Sequence, residues 1–215
     1  LSDKYLQYYF LIDFNLFLTK TKIMYQYLKA FLEFIWEVVK VAVVSLAIIL
    51  PIRYFLVQPF YVKGASMEPN FTDHDYLLID EISYRFRAPE RGEVVVFRYP
   101  KNPRDFYIKR VIGLPGERVV VRDTKVLVGK GDELKELAEN YLDVNYIGGQ
   151  INTNYLDVTL GADQYYVLGD NRRASSDSRS FGPITKRDLI GRSWVRAWPF
   201  NRWKVFGSAS NIVNN

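Results

Sequence analysis

The sequence predicts a mainly β protein, with a β-barrel or sheet body, a small inserted subdomain, and one N-terminal transmembrane helix before the body. An apolar run at residues 41–60 carries a single charge. After it, short alternating runs punctuated by Gly, Pro and Asp are typical of β-strands. One helix-like stretch interrupts them within residues 123–163. We therefore expect a leader at residues 1–37, a membrane anchor at 38–60 and a β domain at 61–215.

Composition limits the classes of function. Of the 215 residues, 48% are hydrophobic and 25% are charged, which is typical of a globular protein. The net charge of +5 is spread along the chain without a basic block, so we expect no nucleic-acid partner. The absence of cysteine excludes disulfides, thiolate metal sites and a cysteine nucleophile. The only histidine, His74, fits an ordinary loop residue, and we expect no metal and no other cofactor.

The apolar run is long enough to cross a bilayer. Twenty helical residues reach about 30 Å, the thickness of the hydrocarbon core. Lys40 and Arg53 bracket the run and can extend their charges to opposite interfaces. The charge-free part, residues 41–52, spans only about 18 Å, which leaves a buried core helix or a signal-peptide region as alternatives. Because the chain continues directly into a serine motif, we favour a retained anchor.

Basic residues near the run predict its orientation. Only Lys63 follows it within twenty residues, whereas four lysines lie within the 21 residues before it. The positive-inside bias then places the N-terminus in the cytoplasm and the chain from Tyr61 onward outside. Residues 1–23 are rich in Tyr, Phe and Leu, and either Met24 is the natural start or this leader is a membrane-surface segment. The four preceding lysines are Lys20, Lys22, Lys29 and Lys40.

Alternation predicts the strands of the β domain, and one segment predicts a helix. Asp132 can act as an N-cap, and apolar residues follow it at helical spacing. We interpret residues 123–163 as an insertion on the β body. The apolar positions of the expected helix are Leu134, Leu137, Ala138 and Tyr141. The expected strands cover residues 76–80, 93–98, 107–113, 118–122, 164–169 and 193–198.

Three motifs in the β domain carry the candidate chemistry. Ser66 lies in GASMEP, Lys109 lies in FYIKRVIGLPGE, and GDNRRASSDSR covers residues 169–179. Taken singly, they have ordinary explanations as a turn serine, a surface lysine and a solvated loop. A hydroxyl nucleophile needs a base, and without a suitable histidine that base would be a lysine. Alternation leaves open whether Lys109 or Arg110 points inward, but arginine stays protonated, so only the lysine could be a base.

Together and in this order, the motifs resemble those of the type I signal peptidase family, the leader peptidases with a serine–lysine dyad. The resemblance covers residues 58–198 and includes RGEVVVF at residues 91–97. It implies that Ser66 is the nucleophile and Lys109 the general base. The residues expected to orient the amine or hold the site's architecture are Ser175, Asp170, Asp177 and Arg179. The residues matching the family's shallow substrate pockets are Val62, Met67, Phe71, Tyr107 and Ile108.

The chain departs from some members of the family at Gly64, where they carry a serine that donates to the oxyanion. The backbone N–H of Ser66 would supply one donor, and the second is left open. The dyad also requires a neutral Lys109, which means lowering its pKa from about 10.4 to about 8. Burial can do this, with Met67, Tyr107, Ile108 and Val111 as the side chains expected to exclude water.

The resemblance implies a monomeric, single-pass serine endopeptidase of the plasma membrane that removes signal peptides from exported preproteins. Its substrates would carry small residues at the first and third positions before the cut. The sequence fits a bacterial membrane and leaves an organellar one open. Two alternatives remain. One is a catalytically silent, membrane-anchored β domain that binds exported proteins. The other is a self-cleaving repressor with the same dyad, although we find no DNA-binding helix-turn-helix.

Overall fold

A computed structural model describes residues 2–55, 57–147 and 155–207. The chain divides into two compact units, Leu1–Ile52 and Arg53–Asn215. The first unit is helical and the second contains the strands. The mainly β prediction is therefore confirmed, and an N-terminal helix is present.

The N-terminal helix α1 covers Ser2–Phe55, which includes residues 2–37 of the predicted leader and 38–55 of the predicted anchor. Residues 57–60, predicted as the end of the anchor, instead belong to a strand, Val57–Tyr61. Large apolar side chains such as Phe31 and Trp36 are exposed along it. Lys40 pairs with Glu37 one turn earlier, at 2.7 Å. Among the described residues, no helix combines the length and the apolarity needed to cross a membrane. The side chain of Arg53, predicted to flank the anchor, lies outside the described part.

The larger sheet of the second unit has eight strands among the described residues. They are β1 Val57–Tyr61, β2 Tyr76–Asp80, β3 Val94–Tyr99, β4 Asn102–Gly113, β9 Gln164–Leu168, β10 Ile184–Thr185, β11 Leu189–Trp198 and β12 Lys204–Val205. Their order in the sheet is β1-β2-β11-β3-β4-β9-β10, with β12 beside β11. All of these pairings are antiparallel. Three short helical segments connect these strands: α2 Ser83–Phe86, α3 Ser178–Phe181 and a 3-10 turn at Phe200–Arg202.

A second sheet has four strands: β5 Arg118–Arg122, β6 Lys125–Lys130, β7 Glu133–Glu136 and β8 Tyr155–Thr159. Their order in the sheet is β7-β6-β5-β8. The sheet joins β5 to three strands from the predicted insertion, so the inserted segment completes it. Valines of β5 and β6 pack with Ile112 and Tyr166 of the larger sheet in one core cluster.

The helix predicted after Asp132 is wrong, because residues 133–136 form β7, paired antiparallel with β6. Gly131, with a φ of +57°, allows the tight turn between the two strands. The backbone N–H of Leu137 then donates to the carbonyl of Val126 at 2.9 Å. Pairing along β6 outweighs the local helical spacing of the leucines, as cross-strand context commonly does.

The strand assignment makes different predictions for the two leucines of this segment. Leu137 is buried in the core cluster, whereas Leu134 is only half-buried. We expect Leu137→Ala to lower the free energy of unfolding by about 3 kcal/mol, because it empties a packed site. Leu134→Ala should cost less than about 1 kcal/mol. Denaturant unfolding of both variants measures this, and equal losses would support the helical face instead.

Candidate active site

Ser66 and Lys109 are in direct contact. The Lys109 Nζ lies 2.7 Å from the Ser66 Oγ and donates to the Ile108 carbonyl at 2.8 Å. Ser66 belongs to the turn that follows β1, and Lys109 comes from the middle of β4, 43 positions later in the chain. The fold therefore brings together the two residues that the sequence motifs single out.

Lys109 is 3% exposed, and its burial lowers its pKa from 10.5 to about 8. Arg179 acts in the same direction as burial, whereas Asp177 and Asp170 oppose it. The Tyr107 ring covers one side of the amine, with its centroid 5.4 Å from Nζ. At pH 7.5 a lysine with this pKa is neutral in tens of per cent of molecules, against about one in a thousand for a free lysine.

The third motif holds the Ser66 turn through its backbone. The N–H of Asn171 donates to the Ser66 carbonyl at 3.1 Å, and its side-chain amide donates to the Ala65 carbonyl at 3.0 Å. Gly169 approaches so closely that a Cβ there would lie 2.5 Å from the Ser66 carbonyl oxygen. Sequence reasoning missed Asn171, although it lies within the quoted motif beside Asp170.

Asp177 and Arg179 connect parts of this loop by hydrogen bonds. The fully buried Asp177 carboxylate accepts from the Arg179 Nε and Nη2, both at 2.7 Å, and from the Gly169 N–H at 3.0 Å. Arg179 also donates to the Arg172 carbonyl at 3.0 Å. The geometry fits the expected architectural role of both residues.

Asp170 belongs to a separate buried pair. It accepts two hydrogen bonds from Arg110, at 2.8 and 2.6 Å, and a third from Asn70 at 3.0 Å. Arg110 also donates to the Gly92 carbonyl at 2.8 Å. Alternation left open whether Lys109 or Arg110 points inward. In the structure both side chains are buried.

Ser175 has a different environment from the one expected. Its Oγ is buried and has no hydrogen-bond partner in the described part of the chain. Within the described residues, the Lys109 amine makes hydrogen bonds with Ser66 and Ile108. Ser175 packs against Gly169, where an added Cβ would lie 2.1 Å from the hydroxyl. The orienting role of Ser175 stays a prediction.

An open cleft of about 560 Å³ ends at the dyad. Val62, Tyr107 and Ile108 line it beside Ser66 and Lys109, as the resemblance implies. The cleft lies between the end of β1 and residues 104–108 of β4. Within the described residues, β1 pairs with β2 alone and this part of β4 pairs with β3 alone, so both present a free edge.

Two residues expected to line the substrate pockets do not line this cleft. Met67 and Phe71 are fully buried and pack with Leu77 and Ile79 in the core behind it. Their apolar character serves the close packing of the turn that carries Ser66. They shape the cleft from behind and expose no surface to it.

The turn before Ser66 bears on oxyanion stabilisation. Gly64 has a φ of +86°, and its N–H donates to Asp73 at 2.8 Å. The N–H of Ser66 makes no hydrogen bond among the described residues, so it is available to an incoming oxyanion. His74 lies exposed beside Asp73, and no group of three metal-ligating side chains occurs in the described ranges.

A serine hydroxyl against a desolvated lysine, at the end of an open cleft, is the arrangement of a serine–lysine hydrolase. Comparison of sequences gives the family: the one described as "Signal peptidase, peptidase S26" matches residues 35–198. The chain therefore belongs to the S26 signal peptidase family.

Two relatives by sequence agree with this assignment. The chain is 42% identical over 172 residues to a Synechocystis protein described as "Probable signal peptidase I-2", covering 77% of this chain and 74% of the relative. It is 36% identical over 185 residues to "Signal peptidase IB" of Staphylococcus aureus, covering 80% and 93%. A crystal structure of a signal peptidase I from Enterococcus faecalis is 31% identical and covers 49% of this chain and 97% of its own, with a TM-score of 0.41.

The close approach of Gly169 predicts a sensitive position. We expect Gly169→Ala to lower peptidase activity about 100-fold, because the new Cβ displaces the Ser66 carbonyl or Ser175. Gly161→Ala is the matched control, since its Cβ meets only the flexible end of Gln164, at 3.3 Å. Initial rates of peptide cleavage measure both. Equal activity of the two variants would contradict the view that the close approach of Gly169 holds Ser66 in its reactive position.

Proposed function

We propose that the chain is a signal peptidase I, a serine endopeptidase that removes signal peptides from exported preproteins. The single observation that carries this proposal is the 2.7 Å contact between Ser66 and a buried Lys109 amine. Family membership and relatives named signal peptidase I support it. The contact also disfavours the silent β domain, which would have no use for a desolvated base beside a hydroxyl.

Lys109 acts as general base in both halves of the reaction. Its lone pair accepts the Ser66 proton as the Oγ attacks the substrate carbonyl carbon. The tetrahedral intermediate then collapses to an acyl-enzyme, and the Lys109 ammonium gives the proton to the leaving amine. In the second half, the neutral amine removes a proton from water, and the resulting hydroxide attacks the ester. The freed Ser66 oxygen takes the proton back.

The Ser66 N–H supplies one donor to the oxyanion of the tetrahedral intermediate. Gly64 cannot supply a side-chain donor, and its own N–H is engaged by Asp73. A missing donor is worth about 3 kcal/mol of transition-state stabilisation. We therefore expect a second hydrogen-bond donor to the oxyanion, either a backbone N–H or a bound water.

The substrate binds as an extended segment between the two free strand edges of the cleft. Backbone hydrogen bonds to such edges give affinity that is independent of side chains. Val62, Tyr107 and Ile108 then make shallow apolar walls beside the dyad. Such walls select small side chains by steric exclusion at the first and third positions before the cut.

The proposed location is the plasma membrane, with a single N-terminal span and an extracytoplasmic catalytic unit. The apolar sequence that begins at residue 41, within α1, and the lysine asymmetry support this topology. Ser66 follows the run by six residues, so catalysis would occur near the outer lipid surface. Exposed aromatics of β11 and its continuation offer further lipid contact. They are Trp194, Trp198, Phe200 and Trp203.

Substitution of either dyad residue tests the mechanism. Ser66→Ala and Lys109→Ala should each reduce cleavage of a preprotein with an Ala-x-Ala site by at least about 1,000-fold. The double variant should lose little more, because the two residues act as one unit. Lys101→Ala, at an exposed position, is the control. Retained activity in either single variant would remove the dyad from the mechanism.

Activity should depend on pH through the Lys109 amine. Because the protonated amine cannot act as a base, kcat/KM should rise through an apparent pKa of about 8 and level off above it. Below about pH 7 the rate should fall roughly tenfold per pH unit. Rates measured across mild acid to strong alkali check this, and a midpoint near that of free lysine would contradict it.

A further inference from the structure

The inserted segment reaches the loop that holds Ser66 through a buried ion pair. Arg172 Nη1 donates to the Glu139 Oε2 at 3.0 Å, and Nη2 contacts Oε1 of the same carboxylate. The two side chains are only 6% and 9% exposed. Their positions are 33 residues apart in the chain. A bidentate pair of this kind fixes the direction of the guanidinium as well as its charge.

Tyr141, two residues after Glu139, contacts a second arginine. The Arg110 guanidinium carbon lies 4.1 Å from the centroid of the Tyr141 ring. The Tyr141 hydroxyl donates to Glu139 and accepts from Arg172 at 3.2 Å. Its backbone carbonyl accepts from Asn70 at 2.8 Å. Residues 139–141 therefore touch both arginines, and we call them the clamp.

Each of the two arginines is connected, through one neighbouring residue or directly along the chain, to one member of the dyad. The Arg172 Nε donates to the Gly169 carbonyl at 3.0 Å, and Gly169 packs against the Ser66 carbonyl. Arg110 follows Lys109 directly in β4 and holds the Asp170 carboxylate. The clamp is thus connected to the serine through the loop and to the lysine through the strand.

We propose that Glu139 and Tyr141 are positioning residues for the reaction: the clamp holds Arg172 and Arg110 so that the loop at residues 169–179 stays packed on Ser66 and over the Lys109 amine. The proposal rests on the proposed function. It gives the inserted segment a role in catalysis, because Glu139 is the one carboxylate within salt-bridge distance of Arg172 in the described part of the chain, while Asp170 attracts Arg172 from farther away.

Removal of the Glu139 charge leaves Arg172 buried beside a neutral group, which is strongly unfavourable. The loop can relieve this by moving outward and admitting water. Water would restore the solvation of the Lys109 ammonium and raise its pKa. The charged groups that face Lys109 are Asp170, Asp177 and Arg179, and all three are carried by this loop.

The test compares Glu139→Gln with Glu136→Gln in the full chain. Glu136 makes an exposed pair with Lys125, at 2.9 Å, in the same small sheet, so it is a matched control. We expect Glu139→Gln to lower kcat at least about tenfold with KM within about threefold, since positioning acts on the transition state. The acid limb of its pH profile should move to higher pH. Glu136→Gln should match the unsubstituted chain in every respect.

Hydrogen exchange at residues 169–179, followed by mass spectrometry, provides a readout that needs no turnover. Exchange there should accelerate at least about tenfold in Glu139→Gln while peptides of β2 and β11 stay unchanged. Unchanged exchange and an unchanged acid limb in the folded variant would overturn the clamp. If Glu139→Gln does not fold, Tyr141→Phe removes only the hydroxyl and should show the same shifts at smaller size. A Tyr141→Phe protein identical to the unsubstituted chain would then overturn the proposal.

Failure of the proposed function is a separate result. An unsubstituted chain that does not cleave an Ala-x-Ala preprotein, or whose cleavage survives Ser66→Ala, would overturn the proposed function. The exchange comparison would still decide whether the clamp holds the loop.

Discussion

The structure depends on keeping one buried amine without a carboxylate of its own. Lys109 and Arg110 are adjacent on β4 and both buried, yet their partners differ. Arg110 makes two hydrogen bonds to the Asp170 carboxylate, whereas Lys109 makes hydrogen bonds only with the Ser66 hydroxyl and the Ile108 carbonyl among the described residues. The other nearby carboxylate, Asp177, is engaged by an arginine. Both acids are thus neutralised by guanidinium groups, so burial dominates the lysine and its neutral form becomes accessible.

Most of the polar side chains around the dyad hold the backbone in place through hydrogen bonds and take no part in the reaction. Asn171 and Gly169 bring one loop against the Ser66 carbonyl, and Asp177 with Arg179 keeps that loop in shape. Buried ion pairs contribute little net stability because their desolvation is costly. Their value here lies in geometry, since an error of about 1 Å at the reacting atoms can cost about 100-fold in rate. Removing one partner of such a pair therefore affects the rate as well as the stability.

Most strands are predictable from the sequence because alternation is a local signal, and it places β2 and β5 correctly. Ser66 and Lys109 are predictable because the three motifs together resemble a known family, whereas each motif alone also fits an ordinary turn, surface residue or loop. The helix expected after Asp132 fails because ladder pairing with β6 is a long-range effect that local spacing does not contain. Met67 is core and not pocket lining, since apolarity alone cannot separate the two sides of one turn. Glu139 gives no signal, because its partner is distant in sequence and an isolated glutamate ordinarily fits a solvated surface.

Titration of the Lys109 amine measures directly whether burial favours its uncharged form. NMR of the chain labelled with ¹³C at lysine Cε follows each ammonium group separately, and a Lys109→Arg variant identifies the resonance. Because burial disfavours the ammonium, we expect a midpoint at about 8 for this one lysine. A free lysine titrates near 10.4. A Lys109 midpoint near that free value would show a solvated, charged amine and would contradict the role of Lys109 as a desolvated base.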